Sequence, residues 1–275
     1  MENLLLIFEN ISSVNRALII VSGITLFWII EGIAPFKFLN YKKWRHSIPN
    51  FLLTLTTIIV NFFFAFLLVF AADWTNENNF GIIHLADHSI IINIILGLLV
   101  LDLIGAYLPH LVQHKVKLLW YIHIVHHTDH KVDTTTANRH HPFESVVRFL
   151  FTFIGIFVSG APIGLVLMYQ SISVIASQFN HANIQISNKV DKLISYIIVS
   201  PNMHKVHHHF ELPYTDSNYG NIFSFWDRLF GTYKRLDREK VVYGVDVFYD
   251  EKTNSKISSL LIQPLQKYKK PTVEK

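Results

Sequence analysis

The chain has 275 residues, 51% of them hydrophobic and only 16% charged, a balance too apolar for a soluble domain of this size and suited to a membrane protein. Its net charge of +4, from 24 Lys and Arg against 20 Asp and Glu, is too modest to argue for a nucleic-acid partner. Cysteine is absent, which excludes disulfides, thiolate-ligated haem and iron–sulfur clusters and leaves the 16 histidines as the only plentiful transition-metal ligands.

The start, Met1 to Asn10, lacks the basic residues and cleavage site of a signal peptide, so the first apolar run is expected to stay in the mature protein. Apolar stretches long enough for the ~20 residues of a bilayer crossing run from Ala17 to Ala34, Leu52 to Ala72 and Ile90 to Leu108. Two shorter runs, Val146 to Gly160 and Ile163 to Ala176, are separated only by Ala161 and Pro162 and predict a tight helical hairpin. The expected fold class is therefore all-α, an integral-membrane bundle of four to five membrane helices. The loop before the second span carries Lys37, Lys42, Lys43 and Arg45, whereas the next carries Asp73 and Glu77 without Lys or Arg, so the former is expected to be cytoplasmic. Counting crossings then returns the residues after Leu108, and the last third of the chain, to that side as a helical cap. Residues 1–275 read as a single membrane domain, with residues 235–275 a polar extension, solvated or membrane-apposed.

The pattern His-x-x-His-His occurs twice, as His123, His126, His127 and as His204, His207, His208, with a His110, His114 pair upstream. Positions i, i+3 and i+4 of a helix share a face, so each triplet is expected to offer three imidazoles to a single point. Eight histidines in three clusters are too many for one four-coordinate zinc and predict two metal ions sharing a site. His181 stands alone after the second hairpin helix; a lone histidine is usually structural, but its depth makes it a candidate ninth ligand. Asp102, inside the third span, either pairs with a buried His or Tyr to stabilise the bundle or orients a ligand histidine by accepting its other N–H.

His130, His140 and His141 sit where the sequence turns polar before Pro142 and are expected at the surface or as caps, His141 being the best placed of them to touch the site. His209 lies off the face of its neighbours, and His46, His84 and His88 lack ligand spacing and read as interfacial or loop residues. Trp226, Leu229, Phe230 and Tyr233 recur at helical spacing, which alone means an interfacial amphipathic helix.

Taken in order, these motifs resemble the fatty acid hydroxylase and sterol desaturase superfamily of membrane, histidine-ligated di-iron enzymes. His110 and His114 are similar to its first box, His123, His126 and His127 to its second, Asn138 to Glu144 to its Arg-x-His-Pro-x-Glu segment, and His204, His207 and His208 to its last. Asn218 to Tyr233 is similar to the ending typical of bacterial members, and the resemblance marks residues 102–233 as the catalytic region. It implies His110, His114, His123, His126, His127, His181, His204, His207 and His208 as ligands of two iron ions, with O2 as co-substrate. One position departs: some members carry a histidine four residues before the equivalent of His181, where this chain has Ser177. The site would then have one ligand fewer, or be completed by water or by a neighbour such as Gln178.

The implied reaction is O2-dependent removal of hydrogen from an unactivated C–H bond of a membrane lipid, fatty acyl or sterol-like, ending in hydroxylation or desaturation. Electrons would come from a separate donor protein, and the active site would face the cytoplasm at a bacterial inner membrane. A histidine-rich metal-binding or transport protein is the alternative, but a transporter places its ligands near the bilayer midplane on broken helices. A zinc hydrolase with a His-Glu-x-x-His motif is excluded, because that motif is absent.

Overall fold

The computed structural model describes residues 2–248 and 250–267; of the expected C-terminal extension, residue 249 and residues 268–275 lie outside the described residues. Its regular elements are helices. A short α1 (Glu2–Glu9) precedes α2 (Ser13–Ile33), which starts where the Ser12 hydroxyl accepts the Asn15 amide N–H. There follow α3 (Lys43–Glu77) and α4 (Ile90–Asp102), which runs through a π-helical turn, Leu103–Tyr107, into α5 (Leu108–Lys115) as one 26-residue rod. The chain turns at Val116 into α6 (Lys117–His127). Beyond it come α7 (Pro142–Ser159), α8 (Ile163–His181), α9 (Asn188–Ile194), α10 (Pro201–His207), α11 (Phe225–Leu229), α12 (Glu251–Asn254) and α13 (Ile257–Ile262).

Four elements are long and apolar enough to cross a bilayer: α2, α3, the α4–α5 rod and α7. Their outer faces carry Leu26, Ile29, Phe62, Phe63, Phe66, Ile95 and Leu150, each at least half exposed, as lipid permits and water penalises. The chain is thus a helical membrane protein, with α8 the return arm of the predicted hairpin. Gly160 makes that turn in the left-handed region at φ 75°, and a Cβ there would meet the Phe80 carbonyl oxygen at 2.5 Å. Ala71 and Ala72 of α3, Ile94 and Leu101 of α4, Ile156 of α7 and Leu165, Val166 and Tyr169 of α8 form the bundle core.

At 35 residues, α3 is ~52 Å long and overreaches the ~30 Å hydrocarbon layer. Its first turns therefore stand among the segments at one end of the bundle, where α5 ends, α7 begins and α8 ends. Residues 117–141, 182–248 and 250–267 build a cap there, tied to the spans by buried polar groups. The Arg139 guanidinium donates to Asn50 Oδ1 of α3 at 3.0 Å, to the Val125 carbonyl at 2.9 Å and to the Asn254 carbonyl at 2.6 Å. His46 of α3 pairs with Asp129 at 2.8 Å and Asp133 at 3.1 Å, so it is a structural clamp rather than a loose interfacial residue. Glu31 accepts the Thr134 and Asn183 amides, both at 2.7 Å, and pairs with Lys43 at 2.5 Å.

The extension, expected to be solvated or membrane-apposed, packs in its described part against the rest of the cap. Val241, Tyr243 and Val245 are buried, and Leu260 packs fully buried with Leu53 and Val125. A few apolar positions spaced along a Lys-rich stretch suffice to fold it over the cap.

Candidate metal centre

The histidines are positioned by α5, α6, the last turn of α8, and α10 with the residue that follows it. Here α10 starts at Ser200, whose hydroxyl accepts the Met203 amide, with Pro201 fixing the first turn. The two triplets do not each converge on one point. His123 and His127 join His110, His114 and His207 in one group, whereas His126 joins His181, His204 and His208 in a second. Within each group one ring nitrogen per residue lies within 4.8 Å of all the others. The reason is angular: at ~100° per residue, i+4 lies ~40° to one side of i and i+3 ~60° to the other. His-x-x-His-His therefore straddles two sites, and the two copies do so in complementary fashion, two and one against one and two.

The converging atoms are Nε2. His110 and His207 approach to 2.9 Å, His123 and His127 to 3.2 Å, His126 and His181 to 3.1 Å, and His181 and His204 to 3.0 Å. Several outer nitrogens are held by acceptors behind them. His110 Nδ1 bonds the Tyr219 carbonyl at 2.8 Å, His207 Nδ1 that of Ser217 at 2.6 Å, and His181 Nδ1 that of Ser177 at 2.7 Å. A carbonyl can only accept, so each of these three histidines carries its proton on Nδ1 and turns the Nε2 lone pair inward. Burial first, and then neighbouring imidazoles, hold His126, His127, His204, His207 and His208 well below the ordinary histidine range, in the neutral form that binds metals.

A metal fits this donor set. Nε2 of His114 and both nitrogens of His208 are buried without a hydrogen-bond partner among the described residues. Unmet nitrogens normally cost about 1–3 kcal/mol each, so their concentration here points to a cation as the missing partner of those that face inward.

Two residues passed over in sequence reasoning stand beside the groups. Glu144, fully buried in the first turn of α7, lies 3.2 Å from His123 Nδ1 and 2.9 Å from His140 Nδ1. His140 was expected at the surface but stacks on the His126 ring at 4.7 Å, and with His123 and Glu144 forms a third set of potential ligands. The spacing of His140 and Glu144, i and i+4 across a helix start, was the available signal. His141, the favoured extra histidine, instead caps α7 by accepting the Phe143 amide and bonds the Leu261 carbonyl.

Both outer candidates are also reassigned. Among the described residues Asp102 bonds no histidine: its carboxylate accepts the amides of Ile222 and Phe223 at 3.2 and 3.1 Å and the Trp226 indole at 3.0 Å. Gln178 turns away from the groups and donates to the Ile20 carbonyl of α2 at 3.1 Å, fitting against Gly23, where a Cβ would overlap it. His209, His84 and His130 lie outside the groups; His209 accepts the Val242 amide and His84 bonds the Gly160 carbonyl. A narrow cavity of about 30 Å³ reaches the histidines, lined by Ala106, Pro109, Gln113, Arg148, Ser177 and Asn221 among others.

Fold and site together define a class: a helical membrane protein whose cap end carries two adjacent groups of histidines that could each hold a metal ion. The model of the fatty acid hydroxylase family matches residues 94–232, half of the chain, and the chain belongs to that family. It is 25% identical over 146 residues to the ornithine lipid hydroxylase of Rhizobium tropici, covering 53% of this chain and 43% of that one. Alkylglycerol monooxygenases of Homo sapiens and Danio rerio are 28% and 30% identical over 146 and 145 residues, 51% of this chain and 30% of theirs. The matched part thus spans less than half the length of these relatives. No solved structure matches the chain.

Proposed function

We propose that this protein is an O2-dependent, di-iron hydroxylase of a C–H bond in a membrane lipid. The observation that carries the reading is the split of each His-x-x-His-His between two adjacent groups, five donors and four, at the end of a membrane bundle. That arrangement suits two ions side by side, and neutral imidazole donors suit iron. When bound, a pair of iron ions supplies the redox chemistry that O2-dependent oxidation of an alkane C–H needs and that no side chain possesses.

The chain's own residues bind and orient. His110, His114, His123, His127 and His207 would hold one ion and His126, His181, His204 and His208 the other, while the carbonyls of Ser177, Ser217 and Tyr219 keep their histidines in the donating tautomer. Ala106 and Pro109 add an apolar edge to the otherwise polar mouth of the cavity beside the histidines. Hydroxylation is favoured over desaturation because the relatives are named for hydroxylation and monooxygenation. Electrons come from a separate donor protein. Lys43 and Arg45 stand at the cap end of α3, which favours a cytoplasmic active site at a bacterial inner membrane. A transporter is disfavoured because these ligands cluster at helix ends rather than at a midplane break.

The test is to load purified protein with iron, supply a total lipid extract, a reductant and 18O2, and read the lipids by mass spectrometry. The expected result is one 18O in a lipid product, lost when the metal is removed. Oxygenation that survives metal removal, or none from the fully iron-loaded and reduced protein, overturns the proposal.

A further inference from the structure

Asp102 presents a problem that the metal centre does not solve. It is a fully buried carboxylate inside a membrane span, yet its partners are two backbone amides and an indole from residues 222–226, far along the chain. Counting the rise of α4 from Ile90 puts Asp102 ~18 Å along the rod and His110 ~30 Å along it, so Asp102 lies ~12 Å below the level of the histidines, within the hydrocarbon layer. The segment bonded to it shares that depth.

The surroundings agree. Trp226 packs with Tyr107, Leu99 and Leu103 of the same span, and Phe230 stacks on Tyr107 at 5.2 Å. An antiparallel bridge joins Phe223 to Ile198, the Ser224 amide donates to the Ile197 carbonyl at 3.1 Å, and the Ser224 hydroxyl donates to the Ser195 carbonyl at 2.7 Å. Residues 195–198 and 222–230 thus form one unit whose outward side is mostly apolar: Leu229 is 67% exposed, Ile197 64% and Tyr196 54%, with the half-buried Arg228 guanidinium folded over the Tyr196 and Tyr233 rings at 5.2 and 4.0 Å. Upstream, α9 continues the patch with exposed Val190 and Leu193, which follow Lys189 and Lys192 respectively. Irregular backbone survives at membrane depth only when its polar groups are satisfied by protein, which is what Asp102 and Ser224 do.

We infer that residues 195–198 and 222–230 are a wedge of the cap inserted into the lipid bilayer beside α4, with α9 lying at the interface and Lys189 and Lys192 reaching the headgroups. Its attachment to the membrane-spanning rod through Asp102 and Tyr107 identifies the occupant as the bilayer rather than another protein. Gly220 and Asn221, which lead into the wedge, line the cavity that reaches the histidines, so lipid seated at the wedge adjoins that entrance. The inference does not depend on iron or on any reaction.

The absence of native cysteine makes the test direct. Ile197→Cys, Leu229→Cys and Phe230→Cys are each reconstituted into phosphatidylcholine–phosphatidylglycerol vesicles, with Phe62→Cys on the outer face of α3 and the exposed Lys240→Cys as references. A charged maleimide should label the three wedge positions at least ~10-fold more slowly than Lys240→Cys, at a rate like Phe62→Cys, because it does not enter hydrocarbon. A bimane attached at each wedge position should be quenched by lipids brominated on the acyl chain. Full labelling in SDS controls for the reactivity of each site. Labelling at the Lys240→Cys rate overturns the inference, and so does protection without bromolipid quenching, which would mean that a second copy or another protein segment covers the patch.

Discussion

His126 and His127 are adjacent, yet their replacement should have unlike consequences. His126 belongs to the four-donor group with His181, His204 and His208, and His127 to the five-donor group with His110, His114, His123 and His207. Four-ligand protein sites bind their ion with about 10–16 kcal/mol, so one donor of four is worth roughly 2.5–4 kcal/mol, on the order of 10²- to 10³-fold in affinity. His126→Ala should therefore weaken one ion by that factor and leave the other with its full set. His127→Ala leaves four donors around its ion and should weaken it much less. The assay is dialysis against graded chelator followed by metal counting per chain. The expected outcome is a chelator range in which His126→Ala retains one ion while wild type and His127→Ala retain two. Equal losses from both variants would refute the split and restore a triplet aimed at a single point.

Three further variants and one pH effect follow from the same contacts. Glu144→Gln keeps an acceptor oxygen beside His123 and His140 but removes its negative charge, and should weaken metal binding roughly 10–100-fold, read by competition with a fluorescent chelator. Asp102→Leu strips three donors of their acceptor and should lower stability by about 2–5 kcal/mol in SDS unfolding, with faster maleimide labelling of Leu229→Cys in the same background. Burial would raise the Asp129 carboxyl, but His46 and Arg139 hold it well below its ordinary value of 3.8. A carboxyl depressed in the folded state adds stability that is complete above the unfolded value and fades as pH falls below it, so the thermal midpoint should drop between about pH 5 and about pH 3, and less so in Asp129→Asn. Ser177→His should leave metal content at or above wild type yet abolish lipid turnover, because its ring would fill the cavity that Ser177 lines; unchanged turnover would show that substrate enters elsewhere.

Hydropathy revealed the spans because α2, α3 and α4 are apolar over lengths that little else produces, and the hairpin because Ala161 and Pro162 leave no room for more than a turn. The nine candidate histidines could be named from spacing and resemblance, and the fold does bring them together. What spacing blurred was their partition: treating i, i+3 and i+4 as one face discards the ~100° between His126 and His127, and that angle decides which group each enters. His140 was misplaced because its environment is set by α6 rather than by its polar neighbours in sequence; only the packing of the α7 start against α6 puts its ring on His126. The packed positions of the C-terminal stretch are hidden for a related reason, since Leu260 becomes core only through Leu53 and Val125.

Ser177 shows why part of such a site leaves no trace in side-chain identity. In sequence it reads as a missing ligand, yet its carbonyl accepts the proton of His181 Nδ1, one turn later, and so aims His181 Nε2 at His126 and His204. Any residue at position 177 presents that carbonyl, so the supporting contact is encoded by helix geometry and the side chain is free for another role. Ser217 and Tyr219 support His207 and His110 by the same device, from irregular backbone that the Asp227 carboxylate fixes by accepting the Tyr219 and Gly220 amides. The second group already holds four donors without a histidine at 177, enough for a tetrahedral ion. On the proposed function the small side chain there would leave a bound ion's four donors untouched and give its volume to the cavity. Position 177 would then bear on access to the metals rather than on their retention, which is why metal content and turnover should part company in the Ser177→His variant.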